Sequence, residues 1–270
     1  MLNSKTVAGN HYWKSRIVAN DNVQNLILNL ENLKISITAE QIFAFSQYSS
    51  LLRTWNTRMN LTSKRALENI HSVHFLDSLT ALPSLNALGL ENPRILDVGT
   101  GAGFPGVPLK IMAPEMQLTL LEATRKKTDF LRELTNKLEI QQVEIMNGRA
   151  EIAAHDLEMR ATFDVVLARA LGSLSAVLEL SLPFCKINGH IIAFKKGPIS
   201  DLQPEIDEAS EAIEVLGGEF FRVAHIPLDI FNDDRLLIIL KKVAETPSKF
   251  PRRPGRPART PIGRVGRTRT

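Results

Sequence analysis

Hydrophobic positions along the 270-residue chain change their rhythm once, near residue 94. Before that point they recur at helical intervals. In "TAEQIFAFSQYSSLLRTWN", Phe45, Tyr48, Leu52 and Trp55 follow one another by three, four and three residues, and Thr38 and Gln41 stand at capping-box spacing. Aromatics spaced this way face a core rather than solvent. A turn-like "NTRMNLTSKR" and a second helical stretch, "IHSVHFLDSLTALPSLNALG", complete a mostly helical part over 36–93. Residues 1–35 are polar, show no core pattern before "VQNLILNLENL", and are expected to form an extension without fixed structure.

From Arg94 onward, short apolar runs alternate with helical stretches. The runs are "RILDVG", "QLTLLE", "VEIMNG", "FDVVLAR", "GHIIAFKKG", "FFRVAHIPL" and "RLLIILKK". Strands alternating with helices predict an α/β fold with a parallel sheet covered on both faces. The last two runs have no helix between them and should pair antiparallel at one edge. The expectation is a seven-stranded, mostly parallel sheet over 94–245. The final segment, 246–270, contains "KFPRRPGRPARTPIGRVGRTRT", rich in Pro, Gly and Arg. That composition predicts a segment too poor in apolar residues to bury a core, and disordered by itself.

Composition adds location to charge. The net charge is +4, but 249–270 holds one Lys and seven Arg with no acid. The other 25 basic and 29 acidic residues leave the body at −4. A mildly acidic globule with a basic tail points to a polyanionic partner. No apolar run reaches the ~20 residues of a membrane span, and the N-terminus lacks the apolar stretch of a secretory signal. Cys185 is the single cysteine, which excludes an internal disulfide and paired-Cys zinc sites, so a cytoplasmic protein without a metal is expected.

The candidate chemistry lies in "RILDVGTGAGFPGVPLKIMAPE" (94–115), where glycines follow a strand and precede a helix. Gly101, Gly103 and Gly106 satisfy the dinucleotide pattern G-x-G-x-x-G, with Glu122 about 20 residues on. Asp97 would repel a pyrophosphate, however, and Pro105 and Pro108 remove donors a phosphate would use. S-adenosylmethionine has no phosphate and carries two cationic groups. Asp97, Gly99, Gly101 and Gly103 form D-x-G-x-G-x-G, the first methyltransferase motif, and Glu122 ends the second strand where a carboxylate can accept ribose hydroxyls. A purely structural turn is the third reading. No N/D-P-P-Y/F motif follows "FDVVLAR", and Cys185, in "LPFCKING", is expected within an apolar helix end, as a core residue would be. These features leave an acceptor that needs no activation, such as guanine N7.

Seven segments then appear in order: "WNTRMNLTS" (55–63), "HFLDSL" (74–79), "ILDVGTGAGFPGVPL" (95–109), "LLEATRKKTDFL" (120–131), "NGRAE" (147–151), "ARAL" (168–171) and "KFPRRPGRPARTPI" (249–262). In these the chain resembles the bacterial 16S rRNA guanine-N7 methyltransferase family (RsmG, also called GidB). The resemblance implies a Rossmann-like class I S-adenosylmethionine-dependent methyltransferase fold, with 16S rRNA or the 30S subunit as partner. It implies cofactor contacts at Gly99 and Phe104, an adenine-side pair at Ala150 and Glu151, and Arg169 closing the cofactor pocket beside the reacting centre. With Asp97, Gly101, Gly103 and Glu122 these make up the candidate site. "ARAL" stands where many members have "SRAF". His74 and Asp77 share a helix face and either line the acceptor site or serve structure. Lys195 and Lys196 end the fifth strand, where they either meet RNA phosphate or are simply solvated. Nothing in the sequence demands more than a monomer. The competing functions are a small-molecule methyltransferase and an RNA-binding assembly factor with an inactive pocket.

Overall fold

The computed structural model describes residues 21–226, 230–231 and 233–263. Its centre is one seven-stranded sheet: β1 (Arg94–Val98), β2 (Gln117–Glu122), β3 (Val143–Asn147), β4 (Phe163–Arg169), β5 (Cys185–Lys196), β6 (Gly218–Ile226) and β7 (Arg235–Lys242). The strand order is β3-β2-β1-β4-β5-β7-β6. The first five strands pair in parallel, and β7 runs antiparallel between β5 and β6. This is the class I methyltransferase arrangement. The seven runs read from the sequence are the seven strands, and the last two pair antiparallel at the edge.

Central strands buried on both faces explain the nearly continuous apolar runs. Alternate residues serve two cores. Ile95, Leu118, Leu120, Val165 and Leu167 pack with the N-terminal helices and with the Gly106–Met112 and Arg125–Lys137 helices. Leu96, Val98, Leu121, Val166 and Ala168 pack on the opposite face with the Leu174–Ser181 and Ser210–Val215 helices. Among the described residues, no helix is long and apolar enough to cross a membrane.

The helical part extends further than its sequence suggests. Residues Asp21–Asn32 form a helix whose Leu26 and Leu30 are fully buried. The expected unstructured extension therefore does not reach past residue 20, and residues 1–20 lie outside the described residues. The Ala39–Asn56 helix starts at the predicted capping box: Thr38 Oγ1 accepts from Gln41 N, and the Gln41 side chain accepts from Thr38 N. "IHSVHFLDSL" is helical but wound differently, as a π-helix over His71–Leu76 followed by a short α-helical turn, Asp77–Leu79.

The basic tail departs most from expectation. Residues 246–263 lie on the sheet domain, with Phe250, Pro251, Pro257 and Pro261 buried. Phe250 and Ile262 join the second core. The segment is short of apolar residues for a core of its own, yet it completes one that already exists. Residues 264–270 lie outside the described residues. Cys185 is buried, as expected, but at the start of β5 rather than in a helix end. Burial pushes its thiol up to about 12.

Candidate S-adenosylmethionine site

The β1 carboxyl end turns through Gly99, Gly101 and Gly103, all at positive φ (65°, 62° and 94°), where a side chain is strained. The three glycines do different work. A Cβ at Gly103 would stand 2.7 Å from the Tyr48 hydroxyl and 2.9 Å from Val107, and one at Gly99 would stand 2.5 Å from Leu171. These two fit neighbouring side chains. A Cβ at Gly101 would meet nothing closer than the Gly99 carbonyl oxygen at 4.0 Å, so this glycine leaves open space.

Asp97 sits beneath the loop and is fully buried. Its Oδ2 accepts from Thr100 Oγ1 at 2.6 Å and from Gly106 N at 2.8 Å. Gly106 N–H is the amide a pyrophosphate would need at that helix start, and Asp97 takes it. The dinucleotide reading therefore loses its donor. Asp97 Oδ1 is buried and has no hydrogen-bond partner. Desolvation raises the carboxyl to about 7, against the pull of the Thr100 and Gly106 hydrogen bonds and of the nearby Arg169 charge. An orphaned carboxylate oxygen under an open glycine turn fits a cationic ligand. Glu122 joins the same turn to the next strand: Oε2 accepts from Gly101 N at 3.1 Å and Oε1 from Thr124 N at 2.8 Å.

Arg169 ends β4 and is nearly buried. Its Nε pairs with Asp77 Oδ2 at 2.9 Å. Nη2 donates to Val73 O at 2.9 Å and to His74 Nδ1 at 3.1 Å, while Nη1 is buried without a partner. Because His74 Nδ1 accepts, its Nε2–H donates to Thr62 Oγ1 at 2.7 Å. Desolvation, with Arg169, Lys196 and Arg235 nearby, lowers His74 to about 3, so it stays neutral. Asp77 also holds Arg235, whose Nε bonds Asp233 Oδ1 at 2.7 Å. His74 and Asp77, left undecided by the sequence, are thus the supports of Arg169.

Phe104 stacks on His74 (centroids 4.4 Å, 10°) and on Tyr48 (5.3 Å, 8°), and Tyr48 donates its hydroxyl to Ala102 O. The aromatic stripe is core, as its spacing predicts, but Tyr48 also fastens the glycine loop. "WNTRMNLT" acquires a local reason too. Asn56 Oδ1 accepts from Leu61 N (2.9 Å) and Thr62 N (3.0 Å), closing the turn that brings Thr62 to His74.

Ala150 and Glu151 start the short helix after β3, Ala150–Ala153. Glu151 Oε1 accepts from Gly255 N at 2.8 Å, a partner in the basic tail that no local spacing announces. Lys195 pairs with Glu205 (2.7 Å) and donates to Gly172 O, while Lys196 is half-exposed, 3.8 Å from Asp233. Asp97, the glycines, Phe104, Glu122 and Arg169 therefore lie around the carboxyl ends of β1, β2 and β4, where open α/β sheets bind ligands.

Comparison with known proteins gives a consistent result. Residues 41–229 match the family described as rRNA small subunit methyltransferase G. Three relatives bear the name ribosomal RNA small subunit methyltransferase G. The protein from Dehalococcoides mccartyi is 42% identical over 89% of this chain and 100% of its own length. That from Desulforamulus reducens is 40% identical over 86% of this chain and 95% of its own. That from Lactococcus lactis is 38% identical over 86% of this chain and 96% of its own.

Proposed function

The chain belongs to the rRNA small subunit methyltransferase G family, and from that premise we propose that it methylates N7 of one guanosine in 16S rRNA. It is an S-adenosylmethionine-dependent rRNA methyltransferase. S-adenosylmethionine supplies a methyl group on a cationic sulfur. Asp97, the Gly99–Gly103 turn, Phe104, Glu122, Ala150 and Glu151 would hold it, with the Gly101 backbone at its open side.

One observation carries the choice of N7. Among the described residues of the site, no side chain is placed as a free general base. Both His74 nitrogens are engaged, by Arg169 and Thr62, and the ring is neutral. Asp97 lies beneath the glycine turn with Oδ2 taken by Thr100 and Gly106, which suits it to the cationic cofactor rather than the acceptor, and Cys185 is buried at the start of β5 with its thiol raised. An acceptor with its own lone pair and no proton to lose suits such a site. Catalysis is then mainly positioning. Arg169 is held from three sides, and Asp77 balances its charge, so the arginine opposes the developing cationic base less than a free guanidinium would. An rRNA substrate supports a cytoplasmic location.

The test is transfer of labelled methyl from S-adenosylmethionine to 16S rRNA or 30S particles from a strain deleted for this gene. Reduction and aniline cleavage then locate N7-methylguanosine. One new cleavage site, lost with Arg169→Ala, is expected. Label elsewhere on the rRNA overturns N7, and no label on RNA favours a small-molecule acceptor.

A further inference from the structure

The basic tail is built as a strap, with one arginine locked on a buried carboxylate and three that make no ion pair among the described residues. Arg252 makes a bidentate pair with Glu179, a carboxylate with no exposed surface: Nε reaches Oε1 at 2.8 Å and Nη2 reaches Oε2 at 2.5 Å. Arg252 N also donates to Glu179 Oε1, and Nη2 to Thr260 O, which closes the strap on itself. Arg160 holds its beginning, donating to the carbonyls of Thr246, Pro247 and Phe250. Glu151 holds its middle through Gly255 N. Arg253, Arg256 and Arg259 are exposed, and among the described residues none of them has a carboxylate within ion-pair distance.

Three guanidinium groups without a carboxylate partner, of which Arg259 also donates from Nε to Gly255 O at 3.3 Å, sit on an ordered backbone and so differ from a solvated tail. One anchor, Glu151 to Gly255 N, ties them to the Ala150–Ala153 helix that follows β3, and another, Arg252 to Glu179, ties them to the Leu174–Ser181 helix. A mildly acidic body would not hold a polyanion by itself, and this strap supplies the opposite charge. Planar guanidinium groups suit phosphate oxygens.

We infer that Arg253, Arg256 and Arg259 form a docking strip for the phosphodiester backbone of the RNA substrate. The inference rests on the rRNA reading above. The strip positions RNA without reading its sequence, because phosphate contacts carry register rather than base identity. Arg252 has the separate task of holding the strap down.

The experiment measures binding of protein-free 16S rRNA and of 30S particles across a salt series, beside binding of labelled S-adenosylmethionine. Replacing Arg253, Arg256 and Arg259 together by Gln should reduce the slope of log affinity against log salt by about 2, as three lost single-strand phosphate contacts would. It should raise the KM for RNA at least tenfold and leave kcat and cofactor affinity unchanged. The triple Lys variant keeps the charge and should keep the slope. An unchanged slope and KM in the Gln variant overturn the inference. So does equal damage in the Gln and Lys variants, or a slope lost on anionic vesicles but not on rRNA. Failure of the N7 reading shows separately, as methyl label at another atom while the slope loss persists.

Discussion

Single residues divide the candidate site into parts that hold the fold and parts that leave room for a ligand. Gly101 and Gly103 make the division measurable. Gly103→Ala drives a Cβ against Tyr48 and Val107 at positive φ, and should cost about 2–4 kcal/mol of stability, read as a fall in melting temperature. Gly101→Ala meets open space, so it should cost no more than ~2 kcal/mol. Its damage should appear as at least a tenfold loss of cofactor affinity in a binding titration. Asp97 adds a pH dependence. Its folded carboxyl is raised from 3.8 to about 7, so the fold favours the protonated form. The ligand-free protein should therefore lose stability as pH rises from about 4 through about 7, and Asp97→Asn should flatten that slope in thermal melts. A cationic ligand favours the ionised form. Cofactor affinity should accordingly tighten between pH 6 and 8 with proton release, measurable by calorimetry in buffers of different ionisation heat. The strand-end positions of Arg169 and Glu122 were legible in the sequence. The supporting roles of His74 and Tyr48 were not, because each bonds a partner 95 or 54 residues away.

At the scale of elements, the sheet was written plainly and the connections between elements were not. Strands buried on both faces leave continuous apolar runs, and a capping box leaves a fixed spacing, so both are visible locally. The π-helix over His71–Leu76 leaves no such mark, yet it delivers Val73 O, His74 and Asp77 to Arg169 together. Asp77 lies at its C-terminal end and balances two buried arginines, Arg169 and Arg235. Asp77→Ala should cost roughly 3–5 kcal/mol, the usual penalty for unpairing buried charge. It should also lower kcat with a smaller change in the KM for cofactor, since Arg169 loses its aim while the glycine loop stays intact. Equal stability with unchanged kcat would show that Arg169 needs no such support. The strap follows the same logic. Its arginines look alike in sequence, and only Glu179 and Thr260 single out Arg252.

On the scale of the whole molecule, two cores flank one sheet and the candidate site opens at its carboxyl edge. The N-terminal helices, the sheet and the C-terminal strap all touch that region, through Tyr48, Asp97 and Glu151. Ligand binding should therefore stabilise the entire fold rather than one lobe. At S-adenosylmethionine one hundred times its Kd, the linkage gain is about 2.7 kcal/mol. For a chain of this size that corresponds to a rise in Tm of roughly 5–10 °C, seen as a single shifted transition in scanning calorimetry. Two transitions, only one of them moving, would show that the helical part and the sheet respond independently.

Read alone, the sequence determined whatever depends on neighbours along the chain. Strand and helix periods, the D-x-G-x-G-x-G turn and the opposite charges of body and tail are local patterns imposed by backbone geometry and by contact with water. So were the seven segments that placed the chain in its family. Tertiary structure decided what depends on partners distant in sequence. It set the burial of the tail beside Phe250, the lock of Arg252 on Glu179, and the contact of Glu151 with Gly255. It also set the neutral state of His74 between Arg169 and Thr62, and the half-satisfied carboxylate of Asp97. Desolvation and hydrogen-bond pairing are properties of an enclosed volume, and no segment of sequence encloses one by itself.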